Sequence, residues 1–550
     1  MKKNLTVWNL FSVVILAAFA LFIMYPIFLI LYRSVIHGDT GALTLQNFAH
    51  FFAKKFYWGT MVNSLKVTVV STILSAALGL PLAYLMRSVK IKGSSFLNIL
   101  IVISYLSPPF IGAYAWIQML GRQGVITQFL NDTFGLHYGG VYGFAGIVLV
   151  FTLQSFPLVY IYVSGALKNL DNSLNEAAES LGCSRMGRIW KIIVPLVMPT
   201  LLASSMLVFM RVFADFGTPM LIGEGYKTLP VLIYNQFMGE VSGDDGFAAA
   251  ICCIVIGLTI VMFFVQRFLA GRNTYAMTAL KPMAAESIGG LRNILAHLAV
   301  YMVVGLAILP QFVVVYTSFL ATNGGQVFTG GFALQSYDAT LFAKDNDVIW
   351  HTYFLGLCAI AAVLVLGVLI AYLSVRKRNT LNSILDVITM FPFIIPGSVL
   401  GIAFVFAFNK SPIILTGTAL IMIISFVVRR MPYTVRSSTA ILGNISPSIE
   451  EAAISLGASD MTTFRKITVP MMMPGVLSGA IMSWVTIISE LSSSIILYTN
   501  STQTLTVSIY TEVIRGNYGN ASAYATILTV TSILSLLLFY KVTGRRDVSV

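Results

Sequence analysis

The stretch EAAESLG at residues 176–182, followed by KIIVP at 191–195, is written a second time as EAAISLG at 451–457 and KITVP at 466–470. The two copies lie 275 residues apart. Upstream the offset becomes 288, where GLPLAYL at 79–85 matches GVLIAYL at 367–373. Self-similarity of this kind indicates an internal structural repeat. The change of offset predicts a longer loop around 121–142 in the first half.

The repeated stretch has the residues of a short helix with defined ends. Ser173 and Glu176, and likewise Ser448 and Glu451, have the spacing of a capping box, which predicts a helix beginning at each serine. The glycine that closes each stretch favours a left-handed turn out of that helix. Pro195 and Pro470 are typical of the opening of a following helix. Each loop is therefore predicted to form a rigid peg attached to a second, longer helix.

Composition places the chain in a membrane. Of its 550 residues, 57% are hydrophobic and 10% are charged, with a mean hydropathy of +0.85. Soluble proteins are about 25% charged, so a cytosolic enzyme, a secreted module and a disordered scaffold are excluded. The net charge of +13 comes from short Lys and Arg clusters between apolar runs, which argues against a nucleic-acid partner and for a lipid bilayer.

A bilayer core needs about 20 apolar helical residues, and twelve runs satisfy this length. In the first half they are Leu10–Tyr32, Val67–Met86, Ser94–Gly121, Gly143–Leu167, Ile192–Met210 and Phe247–Gln266. In the second half they are Asn293–Leu320, Thr352–Val375, Val387–Asn409, Ser411–Val428, Pro470–Ser489 and Gly516–Tyr540. With the N-terminus inside, most of the 34 Lys and Arg residues fall on the cytoplasmic side, so both termini are expected to be cytoplasmic.

The sequence divides into two repeats joined by a linker. Six spans in each half is an even number, so both halves enter the membrane in the same sense. We predict an all-α polytopic membrane protein with a first repeat at 1–270, a cytoplasmic linker at 271–292 and a second repeat at 293–550. The repeated loops occupy 171–195 and 446–470.

The complete loop pattern is Glu-Ala-Ala, three residues, Gly, nine residues and Ile-x-x-Pro, present twice. It resembles the coupling loop of bacterial ABC importer permeases, with Val194 and Val469 where leucine is more common. The whole chain resembles the fused two-repeat permeases of the ferric-ion importer family, also through ADFGTP at 214–219 and ELSSS at 490–494. The resemblance implies the type I permease fold. It assigns contact with the ATPase to Glu176, Ala177, Ala178, Gly182, Glu451, Ala452, Ala453 and Gly457.

The resemblance also implies partners and a location. These are two copies of a cytoplasmic ABC ATPase, a substrate-binding protein on the external face, and the bacterial inner membrane. The chain has no Gly-Lys dipeptide and hence no P-loop, so ATP and Mg²⁺ are expected on the ATPase and no cofactor or catalytic residue here. No cluster of metal-ligand residues is visible in the sequence. Relatives that carry 2-aminoethylphosphonate, sugar phosphates, thiamine or polyamines share the architecture, so these cargoes remain open beside ferric iron. A proton-coupled secondary carrier also has six plus six helices, but it has no use for two docking loops.

Three charged residues away from the cytoplasmic ends are candidates for the translocation pathway: Arg211, Asp215 and Glu490. Both carboxylates lie 20 residues beyond the loop prolines, about 30 Å along a helix. Arg211 precedes Asp215 by four residues and shares its helix face, whereas Thr486 takes the matching place before Glu490. Only Asp215 is therefore expected to have a countercharge nearby. Such groups serve either cargo or a structural ion pair.

Overall fold

The computed structural model describes residues 7–37, 41–135, 139–239, 245–271, 285–323, 327–342 and 347–543, and these are almost entirely helical. The first fourteen α-helices are α1 Val7–Phe19, α2 Tyr25–Ser34, α3 Gln46–Ala53, α4 Lys55–Ser88, α5 Ser94–Leu106, α6 Pro109–Leu120, α7 Val125–Phe134, α8 Gly143–Lys168, α9 Ser173–Ser180, α10 Arg185–Arg188, α11 Val194–Phe213, α12 Gly217–Ile222, α13 Leu229–Met238 and α14 Asp245–Gly271. The remaining helices are α15 Gly290–Ser318, α16 Gln335–Leu341, α17 Val348–Arg376, α18 Thr380–Ile388, α19 Phe391–Ile394, α20 Gly397–Phe408, α21 Ala419–Asn444, α22 Ser448–Ser455, α23 Asp460–Thr463, α24 Val469–Ile488, α25 Ser494–Leu497, α26 Leu505–Arg515 and α27 Tyr518–Thr543.

In the part of the chain that the structure describes, strands are confined to two short antiparallel hairpins. Strands β1 (Leu320–Asn323) and β2 (Val327–Phe332) form the first, with a register shift between Leu320 and Thr322. Strands β3 (Asn409–Lys410) and β4 (Ile413–Ile414) form the second. The predicted all-α membrane class is confirmed.

Nine helices in the described part of the chain are long and apolar enough to cross a bilayer. Two further spans are broken helices, which gives eleven. The predicted span Ser411–Val428 is wrong in its bounds, because α21 begins at Ala419 and continues to Asn444. Polar and charged residues within α21, among them Arg429 and Arg430, lower its hydropathy, and it is not one of the eleven.

The two broken spans were each predicted as a single run, Ser94–Gly121 and Val387–Asn409. The first bends by 99° between Tyr105 and Pro109, and the second bends by 111° between Ile394 and Gly397. A proline lies in each break, Pro108 and Pro396, and the residue before a proline is pushed out of the helical region. Each predicted span is therefore two helices meeting at an angle.

Three five-residue π-helical segments interrupt the membrane helices, at Ala20–Met24, Ile189–Ile193 and Phe464–Thr468. Each one ends two residues before a proline. Proline has no N–H to donate to the carbonyl four residues earlier, and its ring displaces that carbonyl. The wider turn accommodates this without ending the helix.

The sequence repeat is also a structural repeat. Helices α9, α10 and α11 recur as α22, α23 and α24 with bounds shifted by 275 residues at both ends. Helix α6 recurs as α20 with a shift of 288. The change of offset falls where α7 follows α6 in the first repeat and the β3–β4 hairpin follows α20 in the second. The prediction of a longer first-half loop is confirmed.

The chain forms two compact units whose bounds differ from those of the repeats. Of the described residues, one unit contains those within 1–53, 233–256 and 335–543, and the other contains those within 54–232 and 257–334. The predicted bounds 1–270 and 293–550 divide the chain by sequence similarity, and they stay a prediction. Linker residues 272–284 lie outside the described part.

Within each unit, the first membrane helix of one repeat packs on helices of the other repeat. In the unit containing 335–543, the Trp8 ring centroid lies 4.8 Å from that of Tyr372 and 5.2 Å from that of Phe464. In the other unit, α15 packs on α5 and α6, where Thr317 donates a hydrogen bond to Oε1 of Gln118 over 3.2 Å. An apolar helix face can pack against any helix whose surface fits it. The distance along the sequence between two helices therefore does not decide these contacts.

Candidate functional site

The two repeated loops have the same backbone geometry. Helices α9 and α22 are eight residues long, and the second residue after each helix is a glycine with positive φ, +77° at Gly182 and +91° at Gly457. The next amide, of Cys183 or Ala458, donates to the carbonyl five residues earlier, over 2.9 Å and 3.1 Å. This is the Schellman ending of a helix, which places a glycine at that position. The predicted helix and left-handed turn are confirmed in both loops.

The predicted capping boxes are wrong. Ser173 and Ser448 are the first helical residues rather than the caps, and the caps Asn172 and Pro447 make no capping bond with their side chains. In the first loop the amide of Ser173 donates instead to Oδ1 of Asp171 over 3.0 Å. In the second loop the amide of Ser448 donates to Oγ of Ser446 over 3.4 Å. The stabilising acceptor is therefore two residues upstream of the predicted one.

Each long helix begins earlier than predicted. The continuous helical rods run from Arg185 to Phe213 and from Asp460 to Ile488, so they start ten residues before the loop prolines. Ser184 and Ser459 cap them, each accepting a backbone N–H over 3.2 Å. From Arg185 and from Asp460 onward, each loop therefore continues into its membrane span as one uninterrupted helical rod.

The outer surface of the loops exposes apolar side chains. Leu181 and Leu456, which directly precede the glycines, are 87% and 89% exposed. The second alanine of each pair faces inward, since Ala453 is buried and Ala178 is half-buried. An apolar residue exposed at the same position of both copies indicates a surface made for contact with another protein.

In the second loop, two ion pairs hold the peg on the end of α17. Nε of Arg376 donates to Oε1 of Glu450 over 2.9 Å, and Nη2 donates to the carbonyl of Ile445 over 2.7 Å. Nζ of Lys377 donates to Oδ2 of Asp460 over 2.8 Å. The side chains of Arg376 and Glu450 are 10% and 11% exposed, so the first pair is the more strongly shielded from water.

In the first loop, the ion pair stays within the loop. Glu179 pairs with Arg188, and Nδ2 of Asn172 donates to Oε1 of Glu176 over 3.1 Å. Positions 88 and 175, which match Arg376 and Glu450, hold Ser88 and Asn175. The peg of the first repeat is therefore not joined to α4 by an ion pair like the one that joins the second peg to α17.

The carboxylates Asp215 and Glu490 hold the same place in the two repeats. Oδ1 of Asp215 accepts the amide of Thr218 over 2.9 Å, and Oε1 of Glu490 accepts the amide of Ser493 over 3.2 Å. Both amides lie at the start of a short helix, α12 or α25, where backbone N–H groups have no partner within the helix. Each carboxylate therefore fixes the chain where it turns out of the long rod.

Glu490 has two countercharges, contrary to the prediction that only Asp215 would have one. Nη1 of Arg429 donates to Oε1 of Glu490 over 2.5 Å, and Nη2 of Arg430 donates to Oε2. The Glu490 side chain is 2% exposed, and the arginine side chains are 12% and 16% exposed. The triad is buried and carries one net positive charge.

Arg211 is close to an aromatic ring. Its guanidinium carbon lies 4.7 Å from the ring centroid of Tyr105, a cation–π distance. The structure thus gives both Arg211 and Asp215 defined structural contacts. A role for Arg211, Asp215 and Glu490 in the translocation pathway stays a prediction.

Sequence reasoning assigned Arg429 and Arg430 to the cytoplasmic end of a span, whereas they lie ten residues or more from either end of α21. The sequence contained a signal that these two arginines lie inside a span. At the repeat offset of 275 these positions match Gln154 and Ser155, in the middle of the predicted span Gly143–Leu167. In the first repeat, Nε2 of Gln154 donates to the carbonyl of Pro109 over 2.8 Å, and a neutral side chain takes the place of Arg429.

Among the described residues, no three His, Cys, Asp or Glu side chains are grouped so that they could hold a metal ion.

The chain resembles known proteins along most of its length. The family described as "Binding-protein-dependent transport system inner membrane component" matches twice, at residues 75–275 and 363–546. A ferric transport system permease protein of Actinobacillus pleuropneumoniae is 30% identical over 97% of this chain and 78% of that protein. A putative ferric transport system permease protein of Haemophilus influenzae is 30% identical over 90% of this chain and 78% of that protein. A molybdenum transport system permease protein of Escherichia coli is 28% identical over 39% of this chain and 93% of that protein, so it corresponds to about one repeat.

Proposed function

The chain belongs to the family of binding-protein-dependent transport system inner membrane components, with two copies of the family's domain in one polypeptide, and on that premise we propose that it forms the pathway for ferric iron through the inner membrane. It is a multi-pass membrane protein and the permease subunit of an ABC importer.

The cargo assignment depends on similarity across the whole chain. The two ferric permeases match 97% and 90% of this chain, both repeats included. The molybdenum permease matches 39% of it. We take similarity that extends over both repeats as a better guide to cargo than similarity to one of them. This full-length match is the observation that carries the proposal.

We place the ATPase at the two loops. Each loop presents a peg with an exposed leucine, Leu181 or Leu456, and each peg continues into a membrane rod. Two equivalent pegs on one chain fit two ATPase copies, which would bind ATP and Mg²⁺, while this chain contributes no cofactor. Native mass spectrometry of the purified complex is expected to give one permease with two ATPases, and one ATPase per permease would contradict this arrangement.

The remaining parts of the proposal concern orientation. Both termini and both loops would face the cytoplasm, and a binding protein on the external face would deliver iron. With Cys183 replaced by serine, because its free thiol lies in the same loop, a cysteine introduced at Ser180 or at Ser455 is expected to react with membrane-impermeant maleimide only in inverted vesicles.

An uptake experiment tests whether the cargo is ferric iron. The permease, its ATPase and the neighbouring binding protein are reconstituted in proteoliposomes, and ATP-dependent accumulation of ⁵⁵Fe³⁺ is measured with molybdate and 2-aminoethylphosphonate as competitors. Accumulation of iron that neither competitor lowers supports the proposal. ATP-dependent uptake of molybdate or the phosphonate without iron uptake would replace the cargo and leave the importer assignment intact. A complex with its ATPase removed is the control for leakage.

A further inference from the structure

Three aromatic rings meet beside the second peg, and each comes from a different helical element. Trp8 is on α1, Tyr372 is near the end of α17, and Phe464 is on the rod that begins at Asp460. The Trp8 ring centroid is 4.8 Å from that of Tyr372 and 5.2 Å from that of Phe464, and the last two are 4.7 Å apart. Trp8 is 6% exposed. These three residues form a buried ring cluster in which each ring contacts the other two.

The ring cluster lies at the start of the second rod. Phe464 is the fifth residue of that rod and the first of its π-helical segment. Nζ of Lys377 lies 5.7 Å from the Trp8 ring centroid and donates to Oδ2 of Asp460, the first residue of the rod, over 2.8 Å. The side chains of Lys377 and Asp460 are 31% and 48% exposed. Water therefore screens the ion pair, and the packing of the rings is the main contact between α1 and the rod.

A buried hydrogen bond holds α1 one turn further along. Ser12 follows Trp8 by four residues and lies on the same face of α1. Its Oγ donates to Oδ1 of Asn382, on α18, over 2.6 Å, and Nδ2 of Asn382 donates to the carbonyl of Lys377 over 2.5 Å. Ser12 and Asn382 are both buried. Because hydrogen bonds require a defined geometry, these bonds fix the position of α1 beside the end of α17.

The helix that carries Trp8 is long. It forms one span of 28 residues, Val7–Ser34, which corresponds to about 42 Å along its axis. Its other end packs on α20, where the ring centroid of Phe22 is 5.6 Å from that of Phe408 and the guanidinium carbon of Arg33 is 4.2 Å from that of Phe406. One helix of the first repeat thus runs from the start of the second rod to the second half of a broken span in the same compact unit.

The matching position of the first rod holds an aliphatic side chain. At the offset of 275, Ile189 takes the place of Phe464. In that compact unit, α15 is hydrogen-bonded to the loop between α4 and α5. The hydroxyl of Tyr301 donates to the carbonyl of Lys92 over 3.0 Å, and the amide of Lys92 donates to Nε2 of His297 over 3.2 Å. Ile189 therefore provides a control position for changes at Phe464.

We propose that Trp8 is a positioning residue for coupling, which holds the start of the second rod against α1 so that a displacement of the second peg by the ATPase moves α1 with it. The proposal rests on the proposed placement of the ATPase at the pegs. Protein interiors are close-packed and transmit strain, so the rod cannot shift past α17 without moving the Trp8 ring or exposing it to water. The long helix would carry the displacement to α20.

Hydrogen exchange tests this link without any cargo. The full permease with its ATPases, in nanodiscs, is compared without nucleotide and with ATP, Mg²⁺ and vanadate. We expect exchange of the α22 amides and of the first two turns of α1 to change together in the wild type. In Trp8→Ala the α22 response is expected to persist and the α1 response to be lost. Trp8→Phe keeps an aromatic ring and is expected to keep both responses.

A second pair of variants approaches the same contact from the rod. Phe464→Ala removes the ring that Trp8 meets and is expected to abolish the α1 response, so it serves as an independent test if Trp8→Ala does not assemble. Ile189→Ala is the matching change in the first rod and should leave the α1 response intact. A wild type whose α22 responds while α1 does not, or an unchanged α1 response in Trp8→Ala or in Phe464→Ala, would overturn the proposal. If α22 itself does not respond, the placement of the ATPase is wrong and this inference fails with it.

ATP hydrolysis separates positioning from folding. In Trp8→Ala the ratio of cargo-stimulated to basal hydrolysis per assembled complex is expected to fall about fivefold, a size found for single residues in coupling networks. Phe19→Ala is the matched control, because it removes another buried aromatic ring of α1, about 16 Å further along the helix. It should lower the melting temperature as Trp8→Ala does and leave the ratio unchanged. Equal ratios in the two variants would show that Trp8 serves folding alone and would overturn the proposal.

Discussion

Arg376 and Glu450 are 74 residues apart in the sequence and form an almost buried ion pair, with Nε and Oε1 separated by 2.9 Å. The pair fixes the second peg to the end of a membrane helix. In the first repeat the matching residues are Ser88 and Asn175. Two loops that are nearly identical in sequence motif and backbone are thus attached to the membrane helices in different ways.

The Arg376–Glu450 ion pair joins the second peg to α17. We expect this pair to be needed for coupling cargo transport to ATP hydrolysis. Arg376→Ala leaves the Glu450 carboxylate buried without its partner, which costs on the order of 3 kcal/mol. We expect the free energy of unfolding in mixed micelles to fall by about that amount, and cargo-stimulated ATP hydrolysis to fall with it. Lys377→Ala is the matched control, since its pair with Asp460 is partly exposed and is worth less than about 1 kcal/mol. Equal effects of the two substitutions would contradict this role for Arg376.

The buried triad predicts that Glu490 matters more for stability than Asp215. Glu490→Gln leaves two buried arginines without a countercharge, and we expect a loss on the order of 3–5 kcal/mol. Asp215→Asn keeps an oxygen that accepts the amide of Thr218, so its cost is expected to be about 1 kcal/mol. The sequence alone suggested the opposite order. Thermal unfolding of both variants at equal expression decides it, and restoration of stability by Glu490→Gln combined with Arg430→Gln would identify the stranded charge as the cause.

The loop glycines predict a specific uncoupled phenotype. A Cβ added at Gly457 would have no heavy atom within 4 Å, so Gly457→Asp is expected to remain folded in the membrane, with backbone strain of about 1–2 kcal/mol. Its charge would lie next to the exposed Leu456, on the surface that we propose meets the ATPase. We expect transport and cargo-stimulated ATP hydrolysis to be lost. Gly457→Asn has the same shape without the charge and tolerates positive φ, so it should retain substantial coupling; loss in both variants would point to the backbone instead.

The start of the first peg helix is predicted to depend on Asp171. Asp171→Ala removes the acceptor of the Ser173 amide, which is expected to cost about 1 kcal/mol of local stability. Ser173→Ala should have little effect, because the structure gives Ser173 no capping bond from its side chain. Hydrogen exchange of the α9 amides measures the difference. Faster exchange in Ser173→Ala than in Asp171→Ala would support the capping box predicted from the sequence and contradict a role for Asp171.

Much of the site could be read from the sequence because its determinants are local. The turn at Gly182 and Gly457 depends on the conformational freedom of one residue, and the peg helices depend on eight consecutive residues. The Schellman bonds followed from these. The capping residues were misjudged because several side chains within three positions can accept the same amide, and the backbone path selects among them.

The bends at Pro108 and Pro396 could be predicted from the sequence only in part. Their prolines align at the repeat offset and mark two disturbed spans, but a proline within an apolar run produces either a kink or a break. Which of these forms depends on the helices packed against it. The π-helical turns before Pro26, Pro195 and Pro470 show the milder outcome of the same chemistry.

By itself, the sequence determined the membrane class, the two repeats and the peg in each, because hydropathy, repetition and turn chemistry are properties of short segments. Tertiary structure alone decided which compact unit receives each first helix, that Glu490 pairs with arginines 60 and 61 residues away, and that an ion pair joins the second peg to α17. These outcomes depend on which helix faces meet. In a chain whose helices are apolar on most sides, many pairings bury similar area, and the few polar contacts that distinguish them become visible only when the helices are packed.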